Sequence, residues 1–295
     1  MTGHPMTGHP TPGHPTPGRP TPVTAAEPYS SPLPTPRPHL GHALASEWTK
    51  LISVRSTVWT LGSLVLLVVG VGLLAISQTR DENYNEMPFT TPAVFGLLIG
   101  QLSVMVLGVL TITSEHGTGL VRTTFTAAPD RYRVLTAKYL VSALACFTAT
   151  AGSVFVVGVA AAIAHGGPAA GAHSGHEWVS GLAGCVYVTL LGVLALAVGA
   201  LVRHSAGAIA VMIGVVTLPP VVGGILSAWQ ATASLGTAVL QHNAPVALMQ
   251  LFGMANGGGP DTESLPGTLS QMLLITVVTG AAVAASYVVV GRRDV

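Results

Sequence analysis

The sequence predicts an all-α, polytopic membrane protein with six transmembrane helices. Of its 295 residues, 49% are hydrophobic and only 8% are Asp, Glu, Lys or Arg, whereas soluble domains carry about 25% charged residues. Between Tyr139 and Gly291 the only formally charged side chains are Glu177, Arg203, Asp261 and Glu263. Such long uncharged stretches are typical of membrane spans. The composition therefore excludes a soluble enzyme and a disordered protein for the bulk of the chain.

Residues 1–40 differ from the rest of the chain and are predicted to be a disordered arm. They hold 12 of the 21 prolines and open with the repeat MTGHP, MTGHP, TPGHP, TPGRP. Proline removes backbone donors and blocks helix, and this segment has too little apolar content to offset the entropy of ordering. The repeated His4, His9 and His14 lack Cys or carboxylate partners, so we interpret them as a solvated repeat and not a metal site. The transmembrane domain is predicted to cover residues 41–295.

A short amphipathic helix is predicted just before the first span, over residues 42–56. A helix that carries Trp and basic residues at this position is expected to lie flat in the membrane surface, and we assign Trp48, Lys50 and Arg55 to it. Glu47 and Lys50 fall off its apolar face. The alternative is a plain helical extension of the first span. The apolar face at helical spacing comprises Leu44, Trp48, Leu51, Ile52 and Arg55.

Six apolar segments follow, each long enough to cross a bilayer as a helix, because about 20 helical residues rise about 30 Å. They cover residues 58–76, 93–113, 140–164, 181–202, 206–226 and 269–290. If the N-terminus is cytoplasmic, 11 of the 12 basic residues fall on the cytoplasmic side and only Arg80 lies outside. Basic residues favour the cytoplasmic side of a membrane. We therefore predict a plasma (inner) membrane protein with both termini in the cytoplasm.

The predicted spans carry no charged residue in their interiors. Ion-coupled carriers usually place a titratable group at the midplane, so this absence disfavours such a carrier without excluding it. Gln101 is the most polar residue within a span, and we expect it and the span Ser and Thr side chains to bond to their own backbone or to neighbouring helices. Gly96 and Gly100 form a GxxxG motif that favours close helix packing, within the chain or in a dimer.

Two further sequence features concern segments that the predicted topology places toward the outer side of the membrane. Pro219-Pro220 should kink or end the fifth span, and residues 229–253 then resemble short amphipathic pieces before a GGGP loop. The HSGHE motif at 173–177 lies between the third and fourth spans. Its spacing is not that of HExxH, so we interpret it as a solvated loop and predict no metal site.

No catalytic residues and no cofactor are predicted for this chain. It contains no GxSxG motif and no acid, base and nucleophile in a usable arrangement. Cys146 and Cys185 lie in apolar runs and are interpreted as buried hydrophobes. The net charge of +1 and the scattered basic residues predict no nucleic-acid partner.

The most charged continuous stretch outside the arm joins spans two and three, at residues 113–141. Gly117 and Gly119 are expected to break the helix past the membrane, LVRTTFTA to form a short helix, and DRYRVLTAK to open the next span, with Asp130 as a cap. A short helix held between two spans suits the docking of a soluble partner. The alternative is a basic loop without a partner.

This segment resembles the permease subunits of type-2 ABC exporters, especially the single-domain permeases of actinobacteria. The likeness is carried by SEHGTGLVRTT from Ser114 and PDRYRVLTAK from Pro129, and more weakly by SEWTKLISVRSTVWTL at 46–61 and HNAPVALM at 242–249. It extends over residues 41–295, and the arm departs from the pattern.

The resemblance implies an ABC permease that exports a substrate, with ATP hydrolysis on a separate ATPase subunit and a second permease protomer, identical or not, in the bilayer. It also implies that residues 115–128 pass the motion of the ATPase to the spans. The alternatives are an ion-coupled secondary carrier or a non-transporting membrane subunit for immunity or sensing. The coupling residues that we predict are Glu115, Gly119, Arg122, Thr123, Asp130, Arg131, Arg133 and Lys138.

Overall fold

A computed structural model describes residue 3 and residues 39–79, 88–118, 131–165, 175–254 and 265–292. The predicted disordered arm therefore lies almost wholly outside the described residues, as does the predicted short helix between spans two and three. The helices belong to one compact unit, Pro38–Val295.

All regular secondary structure in the described ranges is α-helix, and six of the helices are long and apolar enough to cross a membrane. This confirms the predicted fold class and the number of spans, which are α2 to α6 and α9. In chain order the helices are α1 (Leu40–Ser53), α2 (Arg55–Gln78), α3 (Pro92–Thr118), α4 (Arg131–His165), α5 (Gly175–Val202), α6 (Ser205–Ser227), α7 (Ala233–Gln241), α8 (Ala244–Leu251) and α9 (Leu265–Arg292).

The helices extend beyond the apolar runs that predicted them. The third span was expected from Leu140 but its helix begins at Arg131, which confirms that DRYRVLTAK opens it. At the other end of the loop the helix α3 continues through Gly117 to Thr118, so the predicted break at Gly117 is wrong. Hydropathy marks only the part of a helix that matches the hydrocarbon, whereas backbone hydrogen bonding continues until a residue or a contact stops it.

The HSGHE motif is a loop only in part, which corrects the prediction. Helix α5 begins at Gly175, so Glu177 lies in its first turn, where the helix dipole favours an acidic side chain. Its Oε2 accepts a hydrogen bond from the backbone N–H of Phe89 at 3.2 Å, just before α3. Glu177 thus joins the beginnings of two spans.

Helices α3 and α5 are the most buried spans, and α3 packs between α2 and α5. Small residues permit this approach. A Cβ at Gly96 would lie 2.5 Å from the Cα of Val68 in α2, and a Cβ at Gly108 would overlap the carbonyl oxygen of Gly192 in α5. The GxxxG motif of Gly96 and Gly100 therefore faces α2 of the same chain.

Helix α6 remains continuous through Pro219-Pro220, so the expected end of the helix at this point is not observed. Neighbouring helices stabilise spans that contain proline, and α7 folds back on α6 with Gly236 against the backbone of Ser227. The short helices α7 and α8 confirm the predicted pieces within 229–253. Asn243 caps α8, since its side-chain oxygen accepts from the N–H of Val246 at 2.9 Å.

Most of the polar side chains that the sequence singled out within the spans bond to backbone carbonyls, as predicted. The side-chain amide of Gln101 donates to the carbonyl of Leu98 at 3.0 Å, and Thr279 of α9 donates across to the carbonyl of Leu190 at 3.4 Å. Five further hydroxyls donate to a carbonyl four residues earlier; they belong to Thr148, Thr150, Ser153, Thr189 and Thr276. Cys146 and Cys185 are free and buried, as expected.

Candidate functional site

Helix α1 packs against the protein through only part of its predicted apolar face. Leu51 packs against Val141 of α4, while Trp48 and Ile52 of the same face are 45% and 56% exposed. Glu47, which the sequence places off that face, is only 5% exposed. Its burial was not predicted. Tertiary ion pairs satisfy its charge, and the larger apolar side chains remain outward.

Glu47 belongs to a cluster of four charged side chains contributed by three helices. Lys138 of α4 lies between two carboxylates, with its Nζ 2.5 Å from Glu47 Oε2 and 2.8 Å from Glu115 Oε1. Lys50 approaches the same two residues, at 2.7 Å from Glu47 Oε1 and 3.2 Å from Glu115 Oε1. We call Glu47, Lys50, Glu115 and Lys138 the ion-pair cluster. It joins α1 to the end of α3 and the beginning of α4.

The cluster contains two carboxylates and two ammonium groups, so its formal charges balance. The side chains of Lys138, Glu47 and Glu115 are 4%, 5% and 13% exposed, and that of Lys50 is 36% exposed. Charges buried this far require partners, because an unpaired ion in a protein interior costs several kcal/mol. Burial by itself lowers the pKa of Lys50, but the Glu47 and Glu115 carboxylates outweigh it and raise that pKa above its ordinary value. The pairing therefore favours the charged form of Lys50.

The structure brings together three of the residues that the sequence singled out, Glu115, Lys138 and Lys50. Arg131 begins α4 and Arg133 follows it, both partly buried. Trp48 and Arg55 are exposed and lie outside the cluster. The remaining coupling residues fall outside the described part of the chain; they are Gly119, Arg122, Thr123 and Asp130.

Sequence reasoning missed Glu47, although two signals point to it. The chain has only two lysines, Lys50 and Lys138, and Glu47 stands three residues before one of them, which is the spacing of neighbours on a helix. In a chain so poor in charge, a carboxylate beside a span needs a partner. The second lysine, 91 residues away, is that partner.

A cavity of about 410 Å³ lies beside the cluster. All four cluster residues line it, and Ser142 adds a hydroxyl that is 4% exposed and has no hydrogen-bond partner among the described residues. The other lining residues come from α1, from the junction of α1 with α2, from α3 and from α4; they are Leu51, Val54, Ser56, Thr57, Leu110, Thr111, Ser114 and Val141.

The arrangement is suited to holding helices together, because its carboxylates and ammonium groups pair with one another. Within the described ranges, no group of three His, Cys, Asp or Glu side chains is placed to hold a metal ion. No family model matches the sequence, and no curated protein matches it either.

Proposed function

We propose that this chain is the membrane-spanning permease subunit of an ATP-driven ABC exporter and that a separate subunit hydrolyses the ATP. One observation carries the proposal. The ion pair of Glu115 with Lys138, at 2.8 Å, closes the base of the segment between spans two and three. That segment contains the phrases that resemble the coupling region of type-2 ABC permeases.

The cluster gives the loop a mechanical connection to the spans. Glu115 lies near the end of α3 and Lys138 in the second turn of α4, so a displacement of the loop moves both helices together. Glu47 and Lys50 extend this connection to α1. Coupling between distant sites needs such a contiguous set of packed or bonded elements. The ATPase would press on the loop, and the cluster would pass the displacement to three helices.

The sequence supports the division of labour between two subunits. A phosphate-binding loop requires GxxxxGK[ST], but Lys50 is followed by Leu51 and Lys138 by Tyr139. Both lysines are committed to the ion-pair cluster. We therefore place ATP hydrolysis on a partner and assign this chain no cofactor.

The proposed assembly is a dimer of permease protomers, identical or not, in the plasma membrane, with both termini and the ATPases in the cytoplasm. The spans α2, α6 and α9 are the least buried of the six. Their outward apolar side chains would contact lipid and the second protomer, and the path for the substrate would run between protomers. Export is favoured over import by the resemblance.

The test is to co-express the chain with a candidate ABC ATPase subunit and to measure substrate-stimulated ATP hydrolysis in proteoliposomes. Allosteric coupling energies correspond to about 5- to 150-fold effects, and we expect Arg122→Ala to lower stimulated hydrolysis by at least the smaller factor. Membrane insertion should not change. Arg292→Ala is the matched control, since it removes a basic residue of the same predicted side outside the loop.

Four results would contradict the proposal. Equal activity of the wild type and Arg122→Ala would remove the coupling role, and failure of any ATPase to co-purify would favour a non-transporting subunit. Transport that continues without ATP and stops when the ion gradient collapses would identify a secondary carrier. A terminal tag that reports an external location would place the loop away from any cytoplasmic ATPase.

A further inference from the structure

We propose that the cavity beside the ion-pair cluster binds the phosphate headgroup of one membrane phospholipid, with Lys50 Nζ and Ser142 Oγ as donors. The inference does not depend on the proposed transport function. Its basis is the set of unused hydrogen-bond donors that the cavity contains.

The ammonium groups of the cluster have donors left over. Each ammonium carries three N–H groups, and Lys50 and Lys138 each make two bonds to carboxylates. One donor therefore remains on each lysine. Lys50 is the most exposed member of the cluster and lines the cavity, so its remaining N–H is available to a ligand.

Ser142 is the second donor, and its buried hydroxyl without a hydrogen bond points independently to a ligand. Its Oγ is buried in the cavity wall without a partner among the described residues. A buried hydroxyl without a hydrogen bond costs about 1–3 kcal/mol, and such groups are normally satisfied by protein, water or ligand. An oxygen acceptor in the cavity would satisfy it.

The beginning of α2 also lines the cavity, directly after the end of α1, whose dipole offsets part of its positive potential. No side chain caps this helix, whose first turn follows the extended residue Val54. Val54, Ser56 and Thr57 all line the cavity. The N-terminus of a helix carries about half a positive charge and binds anions such as phosphate.

The nearby carboxylates do not prevent the binding of an anion. Each of the two glutamates already accepts bonds from both ammonium groups. Their charges are thus compensated within the cluster, and the donors left on Lys50 and Ser142 suit an oxygen acceptor such as a phosphate. The favoured ligand group is an anionic oxygen group.

The surroundings select a lipid over a free anion. Leu51, Leu110 and Val141 form aliphatic walls that inorganic phosphate would leave unfilled. Val58 and Trp59 of α2 lie beside the cavity and point outward, with 54% and 77% of their surface exposed. They lie at the start of a span, which is the depth in a membrane at which the lipid headgroups end and the acyl chains begin. A phospholipid fills both environments.

The experiment is native mass spectrometry of the full-length chain in detergent, titrated with phosphatidylglycerol. We expect one lipid to be retained by the wild type. Ser142→Leu fills the cavity without changing its charge, and Lys50→Gln removes a donor. Each should weaken retention about tenfold, which corresponds to about 1.4 kcal/mol.

Two matched controls separate the site from general effects. Arg55→Gln removes an exposed cation near the cavity that does not line it, and Thr148→Ala removes a hydroxyl of the same helix that bonds to its own backbone. Both should retain the lipid as the wild type does. Thermal melting of every variant checks the fold, and Ser142→Ala, which only removes the hydroxyl, tests the site if Ser142→Leu does not fold.

Any of three outcomes would overturn the proposal. If Arg55→Gln lost as much bound lipid as Lys50→Gln, the binding would reflect a general attraction of lipid to basic residues. Displacement of the lipid by excess inorganic phosphate would show a site for a free anion. Equal retention of diacylglycerol, which lacks phosphate, would show that only the acyl chains are bound.

Discussion

Lys138 donates a hydrogen bond to the carboxylate of Glu47 at 2.5 Å, although the two residues are 91 positions apart. The bond joins the helix that precedes the first span to the beginning of the third. Both side chains are at most 5% exposed, so neither charge has access to solvent when its partner is removed. The stability of this end of the bundle therefore depends on the pair.

We expect Lys138→Met to lower the free energy of unfolding by up to about 3–5 kcal/mol, because it leaves two buried carboxylates to share the single ammonium group of Lys50. The measurement is thermal or denaturant unfolding of the full chain in detergent. The double variant Glu47→Gln, Lys138→Met should recover part of this loss, since it removes a charge of each sign. Additive losses from the two single variants would show that the residues do not interact.

The close approach of α3 to α5 predicts a contrast between two Gly→Ala substitutions. Gly108→Ala should destabilise the protein by about 1–3 kcal/mol, the usual cost of overpacking, since its Cβ would overlap the carbonyl oxygen of Gly192. Gly280 has no atom within 4 Å of an added Cβ. Gly280→Ala is the matched control and should stabilise by up to about 1 kcal/mol through helix propensity. Equal melting temperatures of the two variants would contradict the packing.

The pKa of Lys50 predicts a loss of stability at alkaline pH. Because folding raises this pKa, the contribution of Lys50 is complete below its unfolded pKa of about 10.4 and disappears as the pH rises through the folded value. The variant Lys50→Arg keeps its charge in this range. The melting temperature of the wild type should fall more steeply than that of Lys50→Arg above about pH 10.4, and parallel curves would argue against the assignment. Lys138, Glu47 and Glu115 are common to both proteins.

The spans could be predicted from the sequence because hydropathy is a local property. The run that ends near Ile76 and the run that begins near Ala93 both lie within observed helices. The predicted ends of the spans were less accurate, since α4 begins at Arg131, nine residues before the predicted start at Leu140. The helices continue beyond the hydrocarbon core of the membrane, where side chains need not be apolar. The apolar pattern therefore contains no signal for the ends of the helices.

The candidate site could be predicted only in part. Glu115 and Lys138 were found because they flank a charged loop with a family-like phrase. Glu47 was not, because its role depends on Lys138, and one sequence does not show which distant residues meet. The periodicity of α1 placed Trp48 and Ile52 on an apolar face, where they remain exposed, and it contained no signal for the burial of Glu47 on the other side of the helix.

The contact between Gly108 and the backbone of Gly192 has a consequence for motion. Where main chain meets main chain there is no side chain to change rotamer, and neither helix has room to slide along or rotate against the other. We expect α3 and α5 to move together as one unit in every state of the protein. A displacement of α3 would then carry α5 with it, and changes of packing would occur against α6 and α9, which present most of their surface outward.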